Sequence, residues 1–162
     1  MNGKYEITEI EHPRYPWLHR IRALRDIRED VHAGDLGGFV ESAENLSQEG
    51  NCWIYDDAMS CEDAEVLDES IMKDSSIAEG YARIYGVSEL CGNAVADKNA
   101  VIMSARLLDS AVVTETGIVR QVEGIPYVPV IKDNAVVFGR IEGNVQVSGN
   151  FWIRSNAEVI NL

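Results

Sequence analysis

The sequence predicts an all-β solenoid, and three observations predict it. A small residue returns every six positions: Cys52, Ala58, Ala64, Ser70, Ser76, Ala82. Two places further on stands an aliphatic residue in many units: Ile54, Val66, Met72, Ile84, Leu90, Ile102, Leu108. The step from one unit to the next is mostly Asp, Glu, Asn, Gly or Ser, the residues that favour turns. Cut in sixes from Asn51, the chain runs from NCWIYD to AVVTET without insertion. The beat returns later as NAVVFG, NVQVSG, NFWIRS and NAEVIN.

In an extended segment successive side chains alternate faces. Positions 2 and 4 of each unit therefore point inward, positions 3 and 5 outward, and the turn residues bend the chain. Three such sides close one coil of about 18 residues, and stacked coils form ladders between successive turns. A sandwich of short strands does not hold one period over so many consecutive units.

The elements follow in order. Residues 1–50 read as an N-terminal cap over the first coil: KYEITEI alternates like a strand, HPRYPW is a turn-rich link, and LHRIRALRDI is another strand or a short helix. GDLGGF reads as a tight turn, because it lacks the strand–helix context of a phosphate cradle. Residues 51–116 form coils, residues 117–133 a proline-containing loop or hairpin, and residues 134–162 further coils. RIEG at 140–143 shortens one unit, and the given sequence closes inside a good hexad, so the last coil is expected to lie open. Buried positions should include Ile54, Val66, Ile84, Leu90, Ile102, Val147 and Ile153.

The spacing of Ile54 before Ala58, Val66 before Ser70, Ile84 before Ser88 and Leu90 before Ala94 resembles the hexapeptide-repeat left-handed β-helix. The left-handed winding is what that resemblance implies. The stretch from Arg20 to about residue 60 further resembles the YdcK-like β-helix proteins of bacteria and their phages, which implies a capped β-helix of phage or prophage lineage. Resemblance to hexapeptide-repeat acyltransferases would imply a trimer, acyl-CoA held between neighbouring helices, and a histidine base. Such a base must lie within hydrogen-bond reach of its proton. The histidines are His12, His19 and His32, all in the cap segment, and His32 before AGDLGG is the candidate. No other catalytic residue, cofactor or metal site is expected.

Composition narrows the functions. The net charge is −13 over 162 residues, against direct nucleic-acid binding, which needs Lys and Arg on phosphate. Three cysteines without CxxC spacing give no disulfide framework or zinc site. No run approaches the roughly 18 apolar residues of a membrane span, and MNGKYEITEI lacks the features of a signal peptide. A cytoplasmic protein without membrane contact is the expectation. The charge gathers in 51–116, with thirteen acids and four Lys or Arg.

Two surfaces stand out. Asp56, Asp57, Glu62, Asp63, Asp68 and Glu69 decorate corners and are the candidate contacts for a basic protein partner. Met59, Ile77, Val95 and Val113 line up as an outward apolar column; with Val159 and Ile160 they are the candidate interface of a dimer or trimer. Trp53, Ile71 and Leu107 make a second column, interrupted by Glu89, and the cap or loop is expected to cover one column. The expected function is a non-catalytic, acidic binding or structural protein, an inhibitor or nucleic-acid mimic among its forms. The alternative is a diverged acyltransferase-like enzyme.

Overall fold

Short extended pairs joined by two-residue corners build the repeat. Each side of a coil is a strand of two to four residues. The first corner residue takes a left-handed backbone: Asp56, Glu62, Asp68, Asp74, Lys98, Ser104, Asp109, Glu115 and Asp133 have φ between 49° and 60°. Glycines 50, 80, 86, 92 and 149 hold equivalent corners at φ between 64° and 70°. That conformation costs an L residue roughly 1–2 kcal/mol, least for Asp and Asn, which is why acids and glycines mark the beat.

The computed structural model describes residues 3–162, and its coils present three faces. The first face continues from the cap strand Leu36–Val40 through Met59–Ser60, Ile77–Ala78, Val95–Ala96, Val112–Val113, Val136–Val137 and Trp152–Ile153, all parallel. The second runs from Trp53–Ile54 to Gln146–Val147 and the third from Glu65–Val66 to Glu158–Asn161, six strands each. This is an all-β, left-handed β-helix of about seven turns.

Each face contributes one inward row to a single apolar core. Ile54, Met72, Leu90, Leu107 and Ile131 come from the second face; Val66, Ile84, Ile102, Val119 and Ile141 come from the third. Each is fully buried, and each buried aliphatic side chain contributes about 1.5–3 kcal/mol. The expected core residues take these places; Val147 is buried and Ile153, in the last coil, is half-buried. Inward hydroxyls among the small residues are satisfied by carbonyls: Ser76 Oγ donates to Lys73 O at 2.8 Å and Ser88 Oγ to Tyr85 O at 2.9 Å.

The six-residue beat breaks where the sequence shows none. Left-handed corners fall at Ser104 and Asp109, one residue closer than the beat requires. Leu90 pairs with Leu107, so Leu107 rather than Leu108 points inward. Downstream, Val113 is fully buried, not outward as expected; Val112 takes its place beside Val95. Ala105 fills the small position, and two adjacent leucines satisfy either register.

The cap is an antiparallel meander of β1 (Tyr5–Glu11), β2 (His19–Ala23) and β3 (Leu36–Val40). LGGFV is therefore a strand, not a tight turn; the turn is confined to the residues before it. Gly37 and Gly38 serve close approach: a Cβ on Gly37 would sit 2.7 Å from the Trp53 ring, and one on Gly38 2.4 Å from Ala58 O. β3 already pairs in parallel with Met59–Ser60, and Leu46 bridges to Val66, so the ladder starts inside residues 1–50. Trp53 occupies an outward position yet is 1 % exposed, packed edge-on against Tyr5 under the cap.

Trp53–Ile54 is an edge strand, and the cap supplies donors to carbonyls that would otherwise go unmatched. Within the repeat, Ser70, Met72, Asp74 and Ser76 accept N–H groups of the preceding coil. At the equivalent places in the first coil, Lys4 Nζ donates to Cys52 O at 2.8 Å and Arg20 Nη1 to Asp56 O at 2.8 Å, while the Phe39 N–H donates to Ala58 O at 2.9 Å. Arg28 Nη1 reaches Asn51 O at 2.9 Å. Lys4 is 1 % exposed; burial pulls its amine below the ordinary range.

Residues 122–128 leave the ladder, which holds Gln121 through Met103 O at 3.0 Å and Pro129 through the Arg106 N–H at 2.9 Å. The pairing of Met103 with Arg120, before them, and of Leu107 with Ile131, after them, continues regardless.

Candidate functional site

Stacking coils 18 residues apart puts corner carboxylates one above another. Their oxygens accept the amide of the next corner: Asp56 from Asp74, 3.0 Å; Asp68 from Gly86, 2.8 Å; Asp74 from Gly92, 2.9 Å; Glu62 from Gly80, 3.4 Å. Glu69 Oε1 accepts from the Asn51 N–H at 3.3 Å, and Asp57 pairs with Arg20 Nη2 at 2.7 Å. Asp63 is exposed. Four of the six expected docking acids thus also staple one coil to the next, and Asp57 ties the cap to the first coil. Asp68→Asn, which keeps an acceptor oxygen, should stay within about 0.5 kcal/mol of the parent in urea unfolding. Asp68→Ala loses the acceptor in a left-handed corner and should cost about 1–2 kcal/mol.

The histidines are dispersed. His12 Nδ1 accepts the N–H groups of Arg14 and Tyr15 at 3.1 and 3.2 Å, so the proton of its neutral ring sits on Nε2, a donor rather than a base. The ring stacks on Tyr15 and meets Phe39 edge-on. His19 lies within β2. His32 stands in an exposed turn with Nδ1 3.7 Å from Asp26, its N–H bonded to Asp35. None of the three lines the cleft beside Ile27–Asp30 or the one beside Tyr15–Leu18.

One cleft, of about 490 Å³, runs along the second face under the cap loop Ile27–Asp30. The Tyr55 hydroxyl donates to Asp30 Oδ1 at 2.8 Å, and Lys73 Nζ lies 5.5 Å from the Tyr55 ring. Burial, then the Asp30 bond, pushes the phenol above its ordinary range. These contacts suture cap to coil.

A second cleft, of about 350 Å³, opens on the first face. Tyr15 and Trp17 from the cap turn form one wall, their rings 5.5 Å apart. Leu18, Met59 and Ile77 form an apolar floor; Glu41, Glu62 and Glu79 ring it, with Cys61 beside them. Donor atoms of Cys61, Glu62 and Glu79 lie within 4.8 Å of one another. Burial, then the carboxylates of Glu79, Glu62 and Glu41, pushes the Cys61 thiol up to about 12. All three cysteines are free; Cys61 adjoins the first face and Cys91 the second.

Burial first, then Asp97 and Glu62, raises the Glu79 carboxyl above its usual value. A carboxyl whose folded pKa is raised favours the fold below its unfolded pKa of about 4.3. That contribution is lost as pH climbs through the folded value. Glu79→Gln should therefore melt higher than the parent at pH 7, with the gap closing toward pH 4. Melting curves across that range check this.

The apolar column on the first face reads Met59, Ile77, Val95, Val112, Val136 and Trp152 once the slip is counted. Met59 and Ile77 are half-buried, and the cap turn packs against Met59. Val159 continues the inward row of the third face and is 37 % exposed; Ile160 points outward and is 46 % exposed.

No family model matches the chain. Over 90 residues it is 34% identical to YdcK of Escherichia coli (strain K12), described as an uncharacterized acetyltransferase. The match covers 56% of this chain and 24% of that protein, so the chain spans about a quarter of its relative's length. This similarity and the stacked six-residue coils fit a YdcK-like hexapeptide-repeat protein. No helix among the described residues is long and apolar enough to cross a membrane.

Proposed function

We propose that the protein is a non-catalytic β-helix that docks onto a basic protein partner through its acidic corners, as an inhibitor or nucleic-acid mimic does. The concentration of acids on the coils of residues 51–116, thirteen against four Lys or Arg, carries this reading. The three histidines support it: one is held as a donor, one is in a cap strand and one is in an exposed turn. A phage or prophage origin and a cytoplasmic setting belong to the same reading. Asn or Gln at Asp56, Asp57, Glu62, Asp63, Asp68 and Glu69 keeps acceptor oxygens for the corner bonds. That variant should fold and lose the partner, while the parent's binding weakens toward 1 M salt, where screening acts over about 3 Å. Full affinity in the neutralised variant would remove the corners from the interface.

The name of the E. coli relative favours a second reading, a diverged acyltransferase-like enzyme. Calorimetric titration with acetyl-CoA separates the two, since saturable binding supports the enzyme. Under either reading we place a dimer or trimer contact on the column from Val95 to Val136, with Val159 and Ile160 as further contacts. A strict monomer by light scattering at high concentration would refute that contact.

A further inference from the structure

The cleft on the first face combines three features that nothing in the coil stack requires. Its wall is aromatic: Tyr15 and Trp17, the latter 56 % exposed despite its size. Its rim carries Glu41, Glu62 and Glu79, and no Lys, Arg or His lines it. Its floor is apolar, and its volume of about 350 Å³ falls in the range of ligand clefts, about 300–1,000 Å³. Aromatic faces attract cations through the ring quadrupole, carboxylates do so through charge, and an apolar floor receives an aliphatic stem.

We infer that this cleft binds the side chain of a lysine on a protein partner. An ammonium on a flexible four-carbon stem offers three donors to three carboxylates, whereas a guanidinium fork needs one planar acceptor pair. The stem lies along Met59 and Ile77, and the ammonium sits between the Trp17 ring and Glu79. Glu79, whose carboxyl is raised first by burial and then by Asp97 and Glu62, shares this rim with Glu41 and Glu62. The inference rests on the basic-partner reading for the source of the lysine, and on the cleft alone for its chemistry.

The test is titration of the full chain with n-butylammonium, n-butanol and the amide of Gly-Lys-Gly, followed by amide and indole NMR signals. Saturable shifts at Trp17, Glu62 and Glu79 are expected with butylammonium and the peptide, the peptide binding more tightly. Butanol should leave them in place. Trp17→Ala and Glu79→Gln, both at solvent-accessible positions, should each weaken binding at least tenfold. Equal shifts from butanol, tighter binding of spermidine than of the peptide, or saturation of the same signals by zinc at lower concentration would overturn the assignment. If butylammonium fails while a partner is still retained in a salt-sensitive way, the cleft falls and the basic-partner reading stands. If butylammonium binds and no partner responds to salt or to corner neutralisation, the cleft's chemistry stands and docking by the corners falls.

Discussion

Ile84→Asp is expected to unfold the chain. Ile84 is fully buried in the middle of the third inward row, paired with Val66 on one side and Ile102 on the other. An aspartate there would place a carboxylate in an apolar column with no donor within the row, at a cost of several kcal/mol. Natural domains have only about 5–15 kcal/mol in total. In a solenoid each coil is held by its two neighbours, so one ruined coil weakens both interfaces. Tyr85→Asp, one residue on and pointing outward, should leave the fold standing. Circular dichroism melts of the two variants check this, and a soluble Ile84→Asp protein with an unchanged curve would overturn the register.

The second large effect is expected at Lys4. Its ammonium reaches Cys52 O at 2.8 Å and Cys52 Sγ at 3.1 Å, with Glu49 O and Gly50 O at 3.4 Å. Lys4→Ala removes the donor from the buried Cys52 carbonyl and leaves a void, which should cost about 2–4 kcal/mol. Lys4→Met fills the space without donating and should cost less, about 1–3 kcal/mol, because it also relieves the desolvation of a charge. Urea unfolding of both variants separates the hydrogen-bond loss from the packing loss. A methionine variant as stable as the parent would mean that the ammonium contributes nothing net.

The repeat was legible because its corners require a left-handed residue, and Asp and Gly at Asp56, Asp68, Asp74, Gly80 and Gly92 announce that requirement. The slip was not, since Ala105 and the Leu107–Leu108 pair fit two registers equally, and only the ladder chooses. It carried Val113 into the core and brought Val112 out. The seal of the first coil was equally hidden. Lys4, Arg20 and Arg28 bind backbone carbonyls, which every sequence possesses, so no motif marks the partners. The aromatic-walled cleft was half legible. Met59 and Ile77 stack by the coil period, as do Cys61 and Glu79, but Tyr15 and Trp17 reach them only through the fold of the cap.

The excursion of residues 122–128 has a consequence for engineering. It departs from one corner and returns at the start of the next side while the rungs before and after keep their partners. The rod thus behaves as a chassis with a splice point, where foreign peptide can be displayed without resetting the scaffold. Sequence exchanged inside that segment changes what the rod presents, whereas a single residue added within a strand would turn the rest of that strand to the opposite surface.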